Sequence, residues 1–175
     1  MQHTRFGAGA IAALGIFLSA IPPAEAQSTA PRSAGIHQER VVTTVARGTF
    51  DVTMKPLLSD EIAEAAALGR MSIQKQLHGD ITGSSKGQML MTSSAVAGSA
   101  SYVALERVTG TVHGKRGSFS LQHSAWMAGG QQGMTITVVP DSGTEELVGL
   151  KGTFLIIVAD GKHSYEFEYS LPDSR

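Results

Sequence analysis

Four side chains of this sequence combine reactive chemistry with an apolar setting: Lys75, Glu106, His123 and His163. A lysine, a carboxylate and imidazoles supply a proton acceptor, a proton donor and an electrostatic stabiliser, as isomerisation or cyclisation of a small hydrophobic substrate requires. His123, Glu106 and Lys75 are therefore the candidate catalytic set, with His123 or Glu106 as acid or base and Lys75 as electrostatic partner. The same residues have a structural reading, Lys75 and Glu106 as a buried pair and His123 as a hydrogen-bonded core histidine. His123, His163, Tyr165, Phe167, Tyr169 and Tyr102 are the candidate ligand-binding residues; the aromatic side chains either line an apolar pocket or fill the interior.

Other chemistry finds less support in the spacing. Ser118, Ser142 and Ser164 lack the Gly-x-Ser-x-Gly context of a strained nucleophile turn. Gly129-Gly130-Gln131-Gln132-Gly133 leads into a strand pattern, whereas phosphate loops lead into a helix N-terminus. His37, His78, His113, His123 and His163 show no His-x-His or His-x-x-x-His spacing, and there is no cysteine, so neither a metal site nor an organic cofactor is expected. His113, beside Gly114-Lys115-Arg116, reads as a solvated turn. Met89, Met91 and Met134 read as ordinary core.

The elements that must position these residues are strands. From Val41 onwards, β-branched and aromatic runs are separated by glycine-containing turns, with almost no helical period. The runs are 41–54, 71–78, 86–92, 100–109, 117–126, 133–139, 147–158 and 164–171. About eight antiparallel strands predict an all-β closed barrel, lipocalin-like in outline, with a two-sheet sandwich as the alternative. One helix or lid is expected over 59–68, where Asp60 and Glu61 suit an N-terminus and Gly69 a stop.

Alternation assigns the faces. Tyr165, Phe167 and Tyr169 share one side of the last strand, with His163 one step back; Phe119, Leu121 and Ala125 are in phase with His123. Met71, Ile73 and Leu77 bring Lys75 onto their apolar face. In 100–109 either Glu106 or Arg107 must face inward. An inward ammonium without a partner loses its hydration uncompensated, so charge balance favours Glu106.

The chain has 175 residues, 14 Lys plus Arg and 15 Asp plus Glu, for a net charge of −1. Scattered single charges leave no electrostatic footprint for nucleic acid. Arg5, an apolar run from Phe6 to Ile21, Pro22-Pro23 and Ala24-Glu25-Ala26 form the pattern of a secretory signal peptide cleaved after Ala26. The expected product is exported, periplasmic or secreted, with no integral membrane segment after cleavage. It comprises a flexible linker over 27–39 and a single barrel domain over 40–175.

Tyr102-Val103-Ala104-Leu105-Glu106-Arg107-Val108-Thr109-Gly110 and Gly117-Ser118-Phe119-Ser120-Leu121-Gln122-His123 resemble the bacterial family called domain of unknown function 3224. Val138 to Gly152, His163-Ser164-Tyr165 and Tyr169 are similar to it as well. The resemblance implies a small calycin-like barrel similar to allene oxide cyclase and no established activity. Its stretch from Leu57 to Leu68 is more alanine-rich than the family's usual acidic loop. The function expected is binding of a small apolar or amphipathic molecule inside the barrel. The alternatives are a cofactor-independent isomerase or cyclase, and a structural, self-associating barrel with a filled core, whose partner is a second copy of the chain.

Overall fold

A computed structural model describes residues 42–172; the expected signal peptide (1–26) and linker (27–39) lie outside these residues. Eight strands close into one antiparallel barrel in sequence order. They are β1 (Thr44–Pro56), β2 (Gly69–Gly79), β3 (Ile81–Ser93), β4 (Ala100–Val112), β5 (Lys115–Ala128), β6 (Gln131–Val138), β7 (Lys151–Ala159) and β8 (Lys162–Ser170). Pairing of β1 with β8, from Thr44 against Tyr169 to Phe50 against His163, closes the sheet and removes its edges. The sandwich alternative is thereby excluded.

A short helix, α1 (Glu61–Ala65), joins β1 to β2. Asp60 caps it by accepting a hydrogen bond from the Ala63 amide at 2.9 Å. Ala67, at φ 53°, turns the chain out of the helix, and Gly69 already belongs to β2. The helix is shorter than the 59–68 expected, and it is no lid: a groove of about 750 Å³ lies between it and outward-facing residues of β3 to β6, including Leu90, Val103 and Leu105.

Two other expectations need correction. The strand expected from residue 86 begins at Ile81, so that Gly83-Ser84 lies within β3, because the reversal is made by Gly79-Asp80, where the His113 amide donates to the Asp80 carbonyl. The run 147–158 is not one strand. Glu145–Leu147 form a 3₁₀ turn that drives Leu147 and Leu150 into one end of the barrel, and β7 starts only at Lys151.

That end is packed solid. Phe119 and Phe167 stack with centroids 5.6 Å apart, Phe167 and Tyr169 at 5.2 Å, and Phe154 and Tyr165 at 5.1 Å. Gly48 on β1 makes room for this: a Cβ there would lie 2.5 Å from the Tyr165 hydroxyl oxygen and 1.9 Å from the His78 carbonyl oxygen. The hydroxyl accepts from the Ile81 amide at 2.8 Å and donates to the His78 carbonyl at 3.2 Å, tying β8 to the β2–β3 turn. A smaller apolar cluster, Ile73, Met89 and Ala104, occupies the other half.

Candidate functional site

Between the two apolar clusters lies a polar layer. Lys75, Glu106 and His123 are 7%, 3% and 5% exposed, and Ser85 is buried beside them. Strand alternation alone puts them there: Lys75 is in phase with Ile73 and Leu77, Glu106 with Ala104 and Val108, and His123 with Leu121 and Ala125. Glu106 faces inward and Arg107 outward, where Arg107 donates to the Ser118 hydroxyl. Lys75 reaches Glu106 by crossing β3, whose inward residues at that height are Ser85, opposite Lys75, and Gly87, opposite Glu106. Only small residues leave space for that crossing.

The lysine Nζ donates to Glu106 Oε1 at 3.1 Å and lies 2.8 Å from Oε2, too poorly aligned with the latter for a hydrogen bond. It also sits 5.0 Å from the centre of the Phe50 ring, on the ring's electron-rich face. The His123 Nε2 is 3.8 Å from Glu106 Oε2. Three buried polar atoms of this layer, Glu106 Oε2, His123 Nε2 and Ser85 Oγ, have no hydrogen-bond partner within the protein. Burial, reinforced by the nearby Lys75 charge and only partly opposed by Glu106, lowers the His123 pKa to about 4. His123 is therefore neutral at physiological pH, and its Nε2 can donate or accept.

On one side the layer faces the end of the barrel at which β3 ends and β4 begins. On β4 and β5 the next inward residues towards that mouth are Ala104 and Ala125, and above them stand Tyr102 and Met127. Tyr102 donates its hydroxyl hydrogen to the Met134 sulfur at 3.3 Å, closing over Ala125, which pairs with both residues. Burial first, and the Glu106 charge second, raise the Tyr102 pKa.

The remaining expected site residues fall elsewhere. Tyr165, Phe167 and Tyr169 are fully packed and form the floor of the barrel. His163 is half-buried at the β7–β8 turn, its ring 5.1 Å from Phe50, beside a shallow pocket with His78 and Asp51. It is not joined to the Lys75–Glu106–His123 layer by any hydrogen bond. Ser118 and Ser142 serve the 139–150 loop, Ser118 pairing with the Thr144 hydroxyl and Ser142 donating to the Val139 carbonyl. His113 is more than a solvated turn residue: its Nδ1 is 2.8 Å from the Tyr169 hydroxyl and its Nε2 3.4 Å from Asp80. Met91 and Met134 are 38% and 42% exposed, not core; only Met89 of the three is buried.

Among the described residues no group of three or more His, Asp or Glu is arranged to hold a metal ion. No helix among them is long and apolar enough to cross a membrane. Sequence reasoning missed Ser85, which looks like any polar strand residue until the register sets it opposite Lys75. It also missed how the methionines group, although their common phase with inward residues is written in the strands.

No curated protein matches the chain. A solved structure described as a protein of unknown function from the DUF3224 family of Shewanella oneidensis MR-1 is 40% identical, with a TM-score of 0.70. The match covers 76% of this chain and all of that one. The model of the family described as protein of unknown function (DUF3224) matches residues 46–169, nearly the whole barrel. This chain, in sequence and in barrel architecture, belongs to the DUF3224 family.

Proposed function

We propose that the barrel binds a small amphipathic molecule through the mouth at which Tyr102 and Met134 meet, with a hydroxyl head group anchored between Glu106 and His123 and an apolar body along Ala104, Ala125 and the mouth. The observation that carries this reading is a pair of buried polar atoms without hydrogen-bond partners in the protein, Glu106 Oε2 and His123 Nε2, 3.8 Å apart in a polar layer between two apolar clusters. Leaving His123 Nε2 buried and unpaired costs about 1–3 kcal/mol, and Glu106 Oε2 has only its ionic contact with Lys75, so a group that bonds to both atoms gains energy on binding. A hydroxyl fits: it donates to Oε2 and accepts from Nε2–H. Ala104 and Ala125 are the small side chains between the anchor and the mouth, and the Tyr102–Met134 contact is weak enough to open, since a thioether is a poor acceptor.

The cyclase-like alternative, with allene oxide cyclase as the similar barrel, would use the same three residues. A neutral His123 with a pKa near 4 is a weak base, and Glu106 is engaged by Lys75, so the geometry favours holding a polar group over moving its proton. Export of the mature chain from Gln27 belongs to the same proposal.

The test compares 1-decanol with its methyl ether in a dye-displacement titration of the full barrel. The alcohol binds at least about tenfold more tightly than the ether, and His123→Leu abolishes that preference. Equal binding of the two compounds overturns the anchor, and no displacement by either overturns ligand binding in the barrel. Turnover of an unsaturated epoxide, lost in His123→Leu while binding persists, would instead select the cyclase.

A further inference from the structure

Every methionine other than Met1 lies in inward phase on its strand at the same mouth of the barrel. Met54 lies near the end of β1, Met71 near the start of β2, Met89 and Met91 near the end of β3, Met127 near the end of β5 and Met134 in the first half of β6. No inward position at these strand ends carries a carboxylate: the others are Tyr102, Val158 and His163. The inward positions of this mouth therefore lack the carboxylate oxygens that calcium or magnesium needs and are rich in soft thioether sulfur.

The methionines fall into two sectors. On β5–β6, Met127 and Met134 are diagonal neighbours, and the Met134 sulfur is engaged by Tyr102. On β2–β3, Met71 pairs directly with Met89, and Met91 pairs with Gly69. Met71, Met89 and Met91 thus form a triangle on one patch of sheet, one direct pair, one diagonal pair and one pair two residues apart on the same face. Direct and diagonal cross-strand neighbours are about 4.5–8 Å apart at Cβ, within convergence range of unbranched side chains with three rotatable bonds. Gly69 makes the triangle compact. A Cβ at that position would lie 2.9 Å from the Met91 Cγ and 3.5 Å from its sulfur, so the Met91 side chain lies across the glycine towards β2.

We propose that Met71, Met89 and Met91 form a trigonal thioether site for Cu(I), with Met54 as a fourth sulfur in reach. Neutral thioethers suit a soft monovalent cation and discriminate against Zn(II), which prefers thiolate, imidazole or carboxylate; the nearest inward carboxylate, Glu106, is diagonal to Met89 and is held by Lys75. Met89 is 7% exposed while Met91 is 38% and Met54 45%, so the site has a dry base and an open entrance for the ion. It lies one step nearer the mouth than the Glu106–His123 anchor, Met89 pairing with Ala104 and Met91 with Tyr102, and its thioether chemistry does not require that anchor to hold a ligand.

Ag(I), a redox-inert probe of the same softness, tests the site in chloride-free buffer with protein labelled at the methionine methyl carbons. One equivalent of silver nitrate shifts the methyl resonances of Met71, Met89 and Met91 and leaves those of Met127 and Met134 in place. Met89→Leu, a volume-conserving change that keeps the fold, weakens Ag(I) binding at least about tenfold, and Met127→Leu leaves it unchanged. Gly69→Ala also weakens binding, although all three sulfurs remain, because it displaces the Met91 side chain. Shifts spread evenly over all methionines, an equal response to Zn(II), or no silver bound at about 10 µM protein overturns the proposal.

Discussion

At the scale of single residues, the interior is governed by how each buried charge is compensated. Lys75 and Glu106 compensate each other; His123 avoids the cost by staying neutral. That choice makes stability depend on pH. The His123 pKa is about 4 in the folded barrel against 6.5 for an unperturbed imidazole, so between those values the unfolded chain binds the extra proton. Stability attributable to His123 is complete above about pH 6.5 and is lost as pH falls towards 4, with an upper bound of about 3 kcal/mol. Urea unfolding of the wild type and of His123→Gln across this interval shows that slope only in the wild type. A slope unchanged by the substitution would assign it to other groups.

At the scale of elements, β8 is the strand on which closure depends, because it carries the aromatic floor and pairs with β1. Its Tyr165 hydroxyl serves two backbone groups at the β2–β3 turn, on the far side of β1. Tyr165→Phe leaves the ring stack intact and orphans the buried Ile81 amide; the expected loss is about 1–3 kcal/mol in chemical denaturation. The methionine phase of β1, β2 and β3 is another property of elements. The strand pattern was readable from alternation, yet the meeting of Met71 with Met89 and of Gly69 with Met91 depends on the β2–β3 register.

At the scale of the whole molecule, the barrel has one weak seam. β6 and β7 pair through Thr137 and Thr153 alone, whereas β4 and β5 pair along thirteen residue pairs from Ala100–Met127 to Val112–Lys115. The 139–150 loop and its 3₁₀ turn intervene before β7 begins, so the ladder between β6 and β7 is short. Amide hydrogen exchange is expected to be fastest, among the strands, in β6 and β7, and slowest in β4 and β5. Uniform protection around the barrel would show that the seam opens only with global unfolding. The seam borders Met134, so ligand entry and local opening are expected at the same side of the mouth.

The strand count, the inward placement of His123, Lys75 and Tyr165, and the capping of α1 by Asp60 follow from local patterns. Alternation along a strand and turn chemistry are properties of neighbouring residues, and they read directly from the chain. The choice of Glu106 over Arg107 also follows from the need to compensate an inward Lys75, a physical constraint that acts on the chain whatever its register. What depended on tertiary structure was everything set by register and closure. Tyr165, Phe167 and Tyr169 became a packed floor because the 139–150 loop sends Leu147 and Leu150 into their end of the barrel. His163 was set apart from His123 because β8 meets β1 and not β5. The thioether triangle exists because antiparallel pairing sets residues far apart in sequence side by side, which no periodicity along one strand encodes.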